Sequence, residues 1–178
     1  MSTKYMNIMQ RPQATEHNPY FLRYISLVPD GNYFELLQQN TDEVNAAFGN
    51  LSEAAQNYSY EPGKWTPKQM LMHLMDTERG MSYRALVAAR GDNEQLIQTL
   101  DEDLYASNAI VNNRSMEDLL EEFNAIRITI RKLFEGLNDD QSTWTANVVN
   151  GRVSARALGY MMIGHAIHHL NVLKERYL

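Results

Sequence analysis

Apolar positions along the chain recur at helical spacing in four long segments. From Asn32 the residues Phe34, Leu37, Val44, Ala47, Phe48 and Leu51 form a loose stripe, with Asp30, Gly31 and Asn32 as its start signal. A second segment opens at Thr66-Pro67-Lys68-Gln69, where Thr66 can cap, Pro67 fits the first turn and Gln69 completes a capping box. It is predicted to run from Pro67 to about Arg90 and to end at Gly91-Asp92. The third, from Ser115 to Gly136, carries the sharpest stripe: Leu119, Leu120, Phe123, Ile126, Ile130, Leu133 and Phe134. Its acids lie early and its bases late, as the helix dipole favours. The fourth is capped by Ser154 and continues to the C-terminus.

Residues 1–31 combine Pro12, Pro19 and Pro29 with Tyr20, Phe21, Tyr24 and Ile25, too broken for a long helix but rich in apolar anchors. They are read as an arm packed on a single domain that spans 32–178. About two dozen residues separate Gly91 from Ser115, including Asp101-Glu102-Asp103 and a short helix through Ala109, a length that suits a crossover rather than a tight turn. The fold class is therefore all-α, a four-helix bundle with helices two and three parallel. A hairpin near Val148 to Val153 is the only strand signal.

A length of 178 residues supports one core. A net charge of -6 without any basic cluster gives no footprint for nucleic acid. No apolar run is long enough to cross a bilayer, and residues 1–10 lack the features of a secretory signal, so the expected compartment is the cytoplasm. Cysteine is absent, which leaves histidine and carboxylates as the strong metal-binding side chains and requires any thiol chemistry to borrow its sulfur.

Three of the five histidines lie in Gly164-His165-Ala166-Ile167-His168-His169-Leu170. On a helix His165 and His169 share a face one turn apart, whereas His168 is rotated by about 100° and is read as solvent-facing or as a group that supports a ligand, with a His165/His168 pair as the alternative. On the second helix His73, Thr77, Gly80 and Arg84 share a face that excludes Glu78 and Arg79. Pointed inward, it brings His73 to His165 and His169. Three neutral imidazoles leave a divalent ion its full charge and open positions, where bound water falls to a pKa of about 7 or a small thiol binds as thiolate. Zinc or nickel is the expected ion, although imidazoles also accept copper or iron. Asp76 is a candidate to orient an imidazole, Arg84 to pair with an acid such as Asp101, and Met161 and Met162 to pack the core; His17 receives no role. No His-Glu-x-x-His and no Glu-x-x-His occurs, which excludes zincin proteases and di-iron carboxylate bundles.

The runs Tyr60-Glu61-Pro62-Gly63-Lys64-Trp65-Thr66, His73-Leu74-Met75-Asp76-Thr77-Glu78-Arg79, Tyr83-Arg84-Ala85-Leu86 and Gly164 to Leu170 resemble the DinB/YfiT-like superfamily, and Tyr24 to Gly31 resembles the arm of one subgroup. The resemblance implies an up-down-down-up bundle, a divalent metal held at His73, His165 and His169, and frequent homodimers. It implies one of three functions: activation of a low-molecular-weight thiol for S-transfer to an electrophile, hydrolysis by metal-activated water, or a non-catalytic, stress-related metal-binding bundle. The hydrolytic version lacks an evident general base in the sequence.

Overall fold

The computed structural model describes residues 9–149 and 151–178; the first eight residues of the predicted arm and Asn150 of the predicted turn lie outside that set. The arm turns through a 3-10 stretch at Ala14–Glu16 and enters α1 (Pro19–Ile25), started by Pro19 and by the Asn18 side chain, which accepts from the Tyr20 N–H. Asn32 caps α2 (Tyr33–Gly49) in the same way. A short α3 (Glu53–Gln56), not signalled by periodicity, precedes the loop to α4 (Pro67–Ala89). The Thr66/Gln69 capping box is present there, and Gly91, at φ 73, takes the left-handed conformation that lets the chain leave the helix.

The crossover carries β1 (Leu96–Ile97) and α5 (Glu102–Asn108), the latter capped by Asp101. Then follow α6 (Met116–Glu135), a five-residue α7 (Asp139–Thr143), the hairpin β2 (Thr145–Val148) and β3 (Gly151–Ser154), and α8 (Ala155–Arg176). The hairpin lies near its predicted place, but β1 joins it in parallel, Leu96 opposite Asn147 and Ile97 opposite Val148, to make a three-stranded sheet. Two residues of strand carry no period, so β1 could not be read from the sequence.

The long helices α2, α4, α6 and α8 form a four-helix bundle. Tyr33, at the start of α2, meets Phe134 near the end of α6 and Tyr160 near the start of α8, with ring centroids 5.4 Å apart in both cases. Hence α2 runs with α8 and against α6. Asn45 with Asn124, and Thr41 with Arg127, continue the same antiparallel register. At the other side, Trp65 before α4 meets Tyr177 after α8, while His73 meets His165, so α4 runs against α8 and with α6. The order is up-down-down-up. It requires the long crossover, because α4 and α6 point the same way and the chain must return along the whole bundle.

In α8 every residue from Ala157 to Ala166 is buried. A helix apolar on all sides must be covered on all sides, and α4, α2 and α1 do so. The arm is tied down by Arg11, which donates to the carbonyls of Ile25, Val28 and Pro29, and by Glu16, which accepts from Arg156 Nε at 2.7 Å and from Ser154 Oγ at 2.8 Å. Inside the bundle Glu78 accepts from Arg127 at 2.5 and 2.9 Å, and both side chains are buried.

Candidate metal centre

His73 lies in the second turn of α4, and His165 and His169 occupy successive turns of α8. Antiparallel packing of these two helices brings the three rings together. His165 Nε2 is 3.2 Å from His73 Nε2 and 3.1 Å from His169 Nε2, and ring centroids are 4.5–5.0 Å apart. Accessibility is 5% for His73, 4% for His165 and 9% for His169.

Burial is the main influence on their protonation, because a charged imidazole loses its hydration there. It lowers His73 to about 4, against an opposing pull from the Asp103 carboxylate, and lowers His169 to about 3, with the charges of His73 and His168 adding to the effect. Burial likewise holds His165 well below the usual range. All three rings are therefore neutral at pH 7 and each keeps one ring nitrogen with a free lone pair.

One ligand atom from each histidine lies within 4.8 Å of the other two, so the cluster could hold a metal ion. Metal–nitrogen bonds of about 2.0–2.1 Å at tetrahedral angles place nitrogens about 3.3 Å apart. The 3.1 and 3.2 Å separations are close to that spacing. Neutral imidazoles, a buried site and near-tetrahedral nitrogen spacing all fit a divalent transition metal.

One wall is aromatic. The Trp65 ring lies 4.6 Å from His73 and is stacked toward His169 at 6.5 Å, and the Trp65 carbonyl accepts from the Tyr177 hydroxyl. Tyr60 meets Tyr177 edge-on at 5.2 Å. Beside His169 a cleft of about 240 Å³ is lined by Tyr60, Lys64, Trp65, Asp103 and Tyr177. Asp103 comes from α5, so the crossover delivers a carboxylate to the mouth of the site. Tyr24 of α1 stands edge-on to His165 at 5.3 Å.

Comparison with known proteins adds a family. The DinB superfamily profile matches residues 36–173, from the first turn of α2 through most of α8. The chain belongs to the DinB superfamily. Among solved structures, YfiT from Bacillus subtilis superimposes with a TM-score of 0.71 over 93% of this chain and 90% of that one, at 15% identity. That protein is described as a probable metal-dependent hydrolase with an unusual four-helix bundle topology. No curated protein sequence matches.

Two side chains of this DinB superfamily protein, Asp76 and Arg84, lie elsewhere than the sequence suggested, whereas His168, Met161 and Met162 lie where it placed them. Asp76 is half-buried but pairs with Arg79 at 3.5 Å, and no hydrogen bond joins it to a histidine among the described residues. Arg84 is half-buried and donates to the Gln98 carbonyl at 2.7 Å rather than pairing with Asp101, whose carboxylate caps α5 by accepting from the Leu104 N–H. The crossover backbone passes beside Arg84, and a carbonyl suffices as acceptor. His168 is exposed, with its ring against Tyr24 at 5.6 Å and His169 at 5.1 Å. Met161 and Met162 are core residues, and His17 Nδ1 lies 2.9 Å from the Asn18 carbonyl.

Asp103 and the aromatic wall escaped the sequence reading as site residues. One signal for Trp65 exists: it immediately precedes the cap Thr66, where an apolar residue commonly packs on the fourth helical position, here Met70. Both line the cleft. Asp103 has no such signal, because an acid in the first turn of a short helix is ordinary.

Proposed function

We propose that the chain is a metal-dependent hydrolase acting on a small substrate, with zinc or nickel held by His73, His165 and His169. The observation that carries this reading is the meeting of three imidazoles, one of which, His169, lines a small cleft that also bears a carboxylate, Asp103. The description of YfiT as a probable metal-dependent hydrolase supports it. A divalent ion in such a site supplies Lewis acidity and makes water acidic enough to attack near neutral pH.

The protein's own groups divide the remaining work. Asp103 accepts a proton from water in the cleft at a carboxylate oxygen and so fills the role of base that α4 does not provide. Lys64 draws substrates that carry negative charge to the mouth. Trp65, Tyr60 and Tyr177 limit solvent and offer flat apolar surface to the body of the substrate. A cleft of about 240 Å³ restricts that body to a small molecule.

Thiol S-transfer is the second reading, favoured by a cysteine-free chain in which His169 lines a cleft of small-molecule size. The experiment is a comparison of wild type and Asp103→Asn, both loaded with zinc, on a panel of small esters, amides and phosphoesters, with calorimetry against cellular thiols in parallel. Hydrolysis with kcat lowered about 10²-fold in Asp103→Asn at equal metal content supports the first reading. Metal-dependent thiol binding without hydrolysis supports the second. Inactivity in both assays points to the non-catalytic metal-binding role.

A further inference from the structure

Histidines that bind metals are usually oriented by a hydrogen bond from the ring nitrogen that does not touch the ion. Here His165 Nδ1 and His169 Nδ1 are buried and neither has a hydrogen-bonding partner among the described residues. With no partner at Nδ1, His165 is held by its Nε2 contacts to the other two histidines and by the packing of its ring. The rings of His73 and His169 lie against it. Tyr24 also packs against it, its ring at 78° to the imidazole with centroids 5.3 Å apart. Tyr24 is itself held: Arg23 Nη2 donates to its hydroxyl at 2.8 Å, the Arg23 guanidinium lies 4.6 Å from its ring, and Phe21 and Ile25 of the same short helix are buried beside it.

The seat of α1 on α8 explains why Tyr24 can come so close. A Cβ at Gly164 would lie 2.0 Å from the Tyr24 carbonyl oxygen and 2.5 Å from its carbonyl carbon, both backbone atoms that cannot rotate away. Only glycine allows this contact, and it is the immediate neighbour of His165.

We propose that Tyr24, seated by Gly164, is the positioning residue for His165, replacing by ring packing the hydrogen bond that would otherwise fix this ligand. The arm thereby becomes part of the centre, although it contributes no ligand atom. The inference rests on the histidine cluster being a metal site, and its test separates the two.

The test uses the full chain and cobalt(II), whose visible absorption reports ligand number and geometry, with far-UV circular dichroism to follow folding. Wild type and Tyr24→Phe, which keeps the ring edge, are expected to bind with equal affinity and the same spectrum. Tyr24→Ala and Gly164→Ala are expected to retain their helicity, to lose about 10- to 100-fold in cobalt affinity and to show an altered spectrum. The same variants are compared without metal by histidine ring NMR, where the His165 signals should broaden or shift in Tyr24→Ala and hold in Tyr24→Phe. Wild-type behaviour of Tyr24→Ala in both measurements overturns the positioning role. A wild-type chain that takes up no cobalt overturns the metal reading, while the NMR comparison still decides whether Tyr24 fixes His165.

Discussion

The metal-free protein should lose stability steeply between pH 7 and pH 5, because the fold keeps three imidazoles neutral that the unfolded chain does not. In the folded state burial holds His73 at about 4 and His169 at about 3, whereas the ordinary value is 6.5. Since the folded values are the lower ones, the unfolded chain binds more protons as the pH falls from about 6.5 toward them, and stability is lost over that window. At pH 5 an unfolded histidine is almost fully protonated while the folded one remains mostly neutral, which costs about 2 kcal/mol per group. His73 and His169 together cost about 4 kcal/mol, a large part of the roughly 5–15 kcal/mol that holds a domain together, and His165, held well below the usual range by burial, adds to the loss. Urea unfolding of the metal-free chain at pH 7.5 and pH 5.0, followed by circular dichroism, measures the loss. The same pair of curves for His73→Gln should show it reduced by about 2 kcal/mol. Equal pH dependence in wild type and His73→Gln would refute the claim that His73 is held neutral by the fold.

Three further outcomes follow from other contacts. Removing one partner of the buried Glu78–Arg127 pair, as in Glu78→Ala, should cost about 3–5 kcal/mol and lower Tm by about 10 °C, whereas Glu78→Leu with Arg127→Leu should recover most of that loss in calorimetric scans. Glu16→Ala frees Arg156 and Ser154 together, and chemical denaturation should show a loss of about 1–3 kcal/mol. Because Trp65 lies 4.6 Å from His73, nickel or copper should quench its fluorescence in a Trp144→Phe background; quenching that persists unchanged in His165→Ala would mean that the ion binds elsewhere.

The parts of this molecule that were legible in the sequence share one property: they sit on long helices with a period. The 3.6-residue repeat places His165 and His169 one above the other, and the caps at Thr66, Ser115 and Ser154 fix where the helices begin. Positions that depend on how non-periodic segments fold back were not legible. Asp103 reaches the site only because the crossover passes that end of the bundle, and Tyr24 reaches His165 only because Gly164 leaves room for the α1 backbone. The Glu78–Arg127 pair lies between these cases. Glu78 interrupts the buried stripe Leu71, Leu74, Met81 and Ala85, and Arg127 interrupts Leu120, Phe123, Ile130 and Phe134. A charged residue on each of two buried stripes was a readable sign of an internal pair, and it corrects the choice of Arg84 and Asp101 for that role.

The central claim is that His73, His165 and His169 together hold one divalent ion. Metal-stripped protein titrated with zinc in a calorimeter, beside His73→Ala, His165→Ala and His169→Ala, tests it most directly. Wild type should bind one zinc per chain, and each variant should bind it with severely weakened affinity and with the fold retained. A folded wild type that binds no zinc, or three variants that bind it as wild type does, would contradict the account.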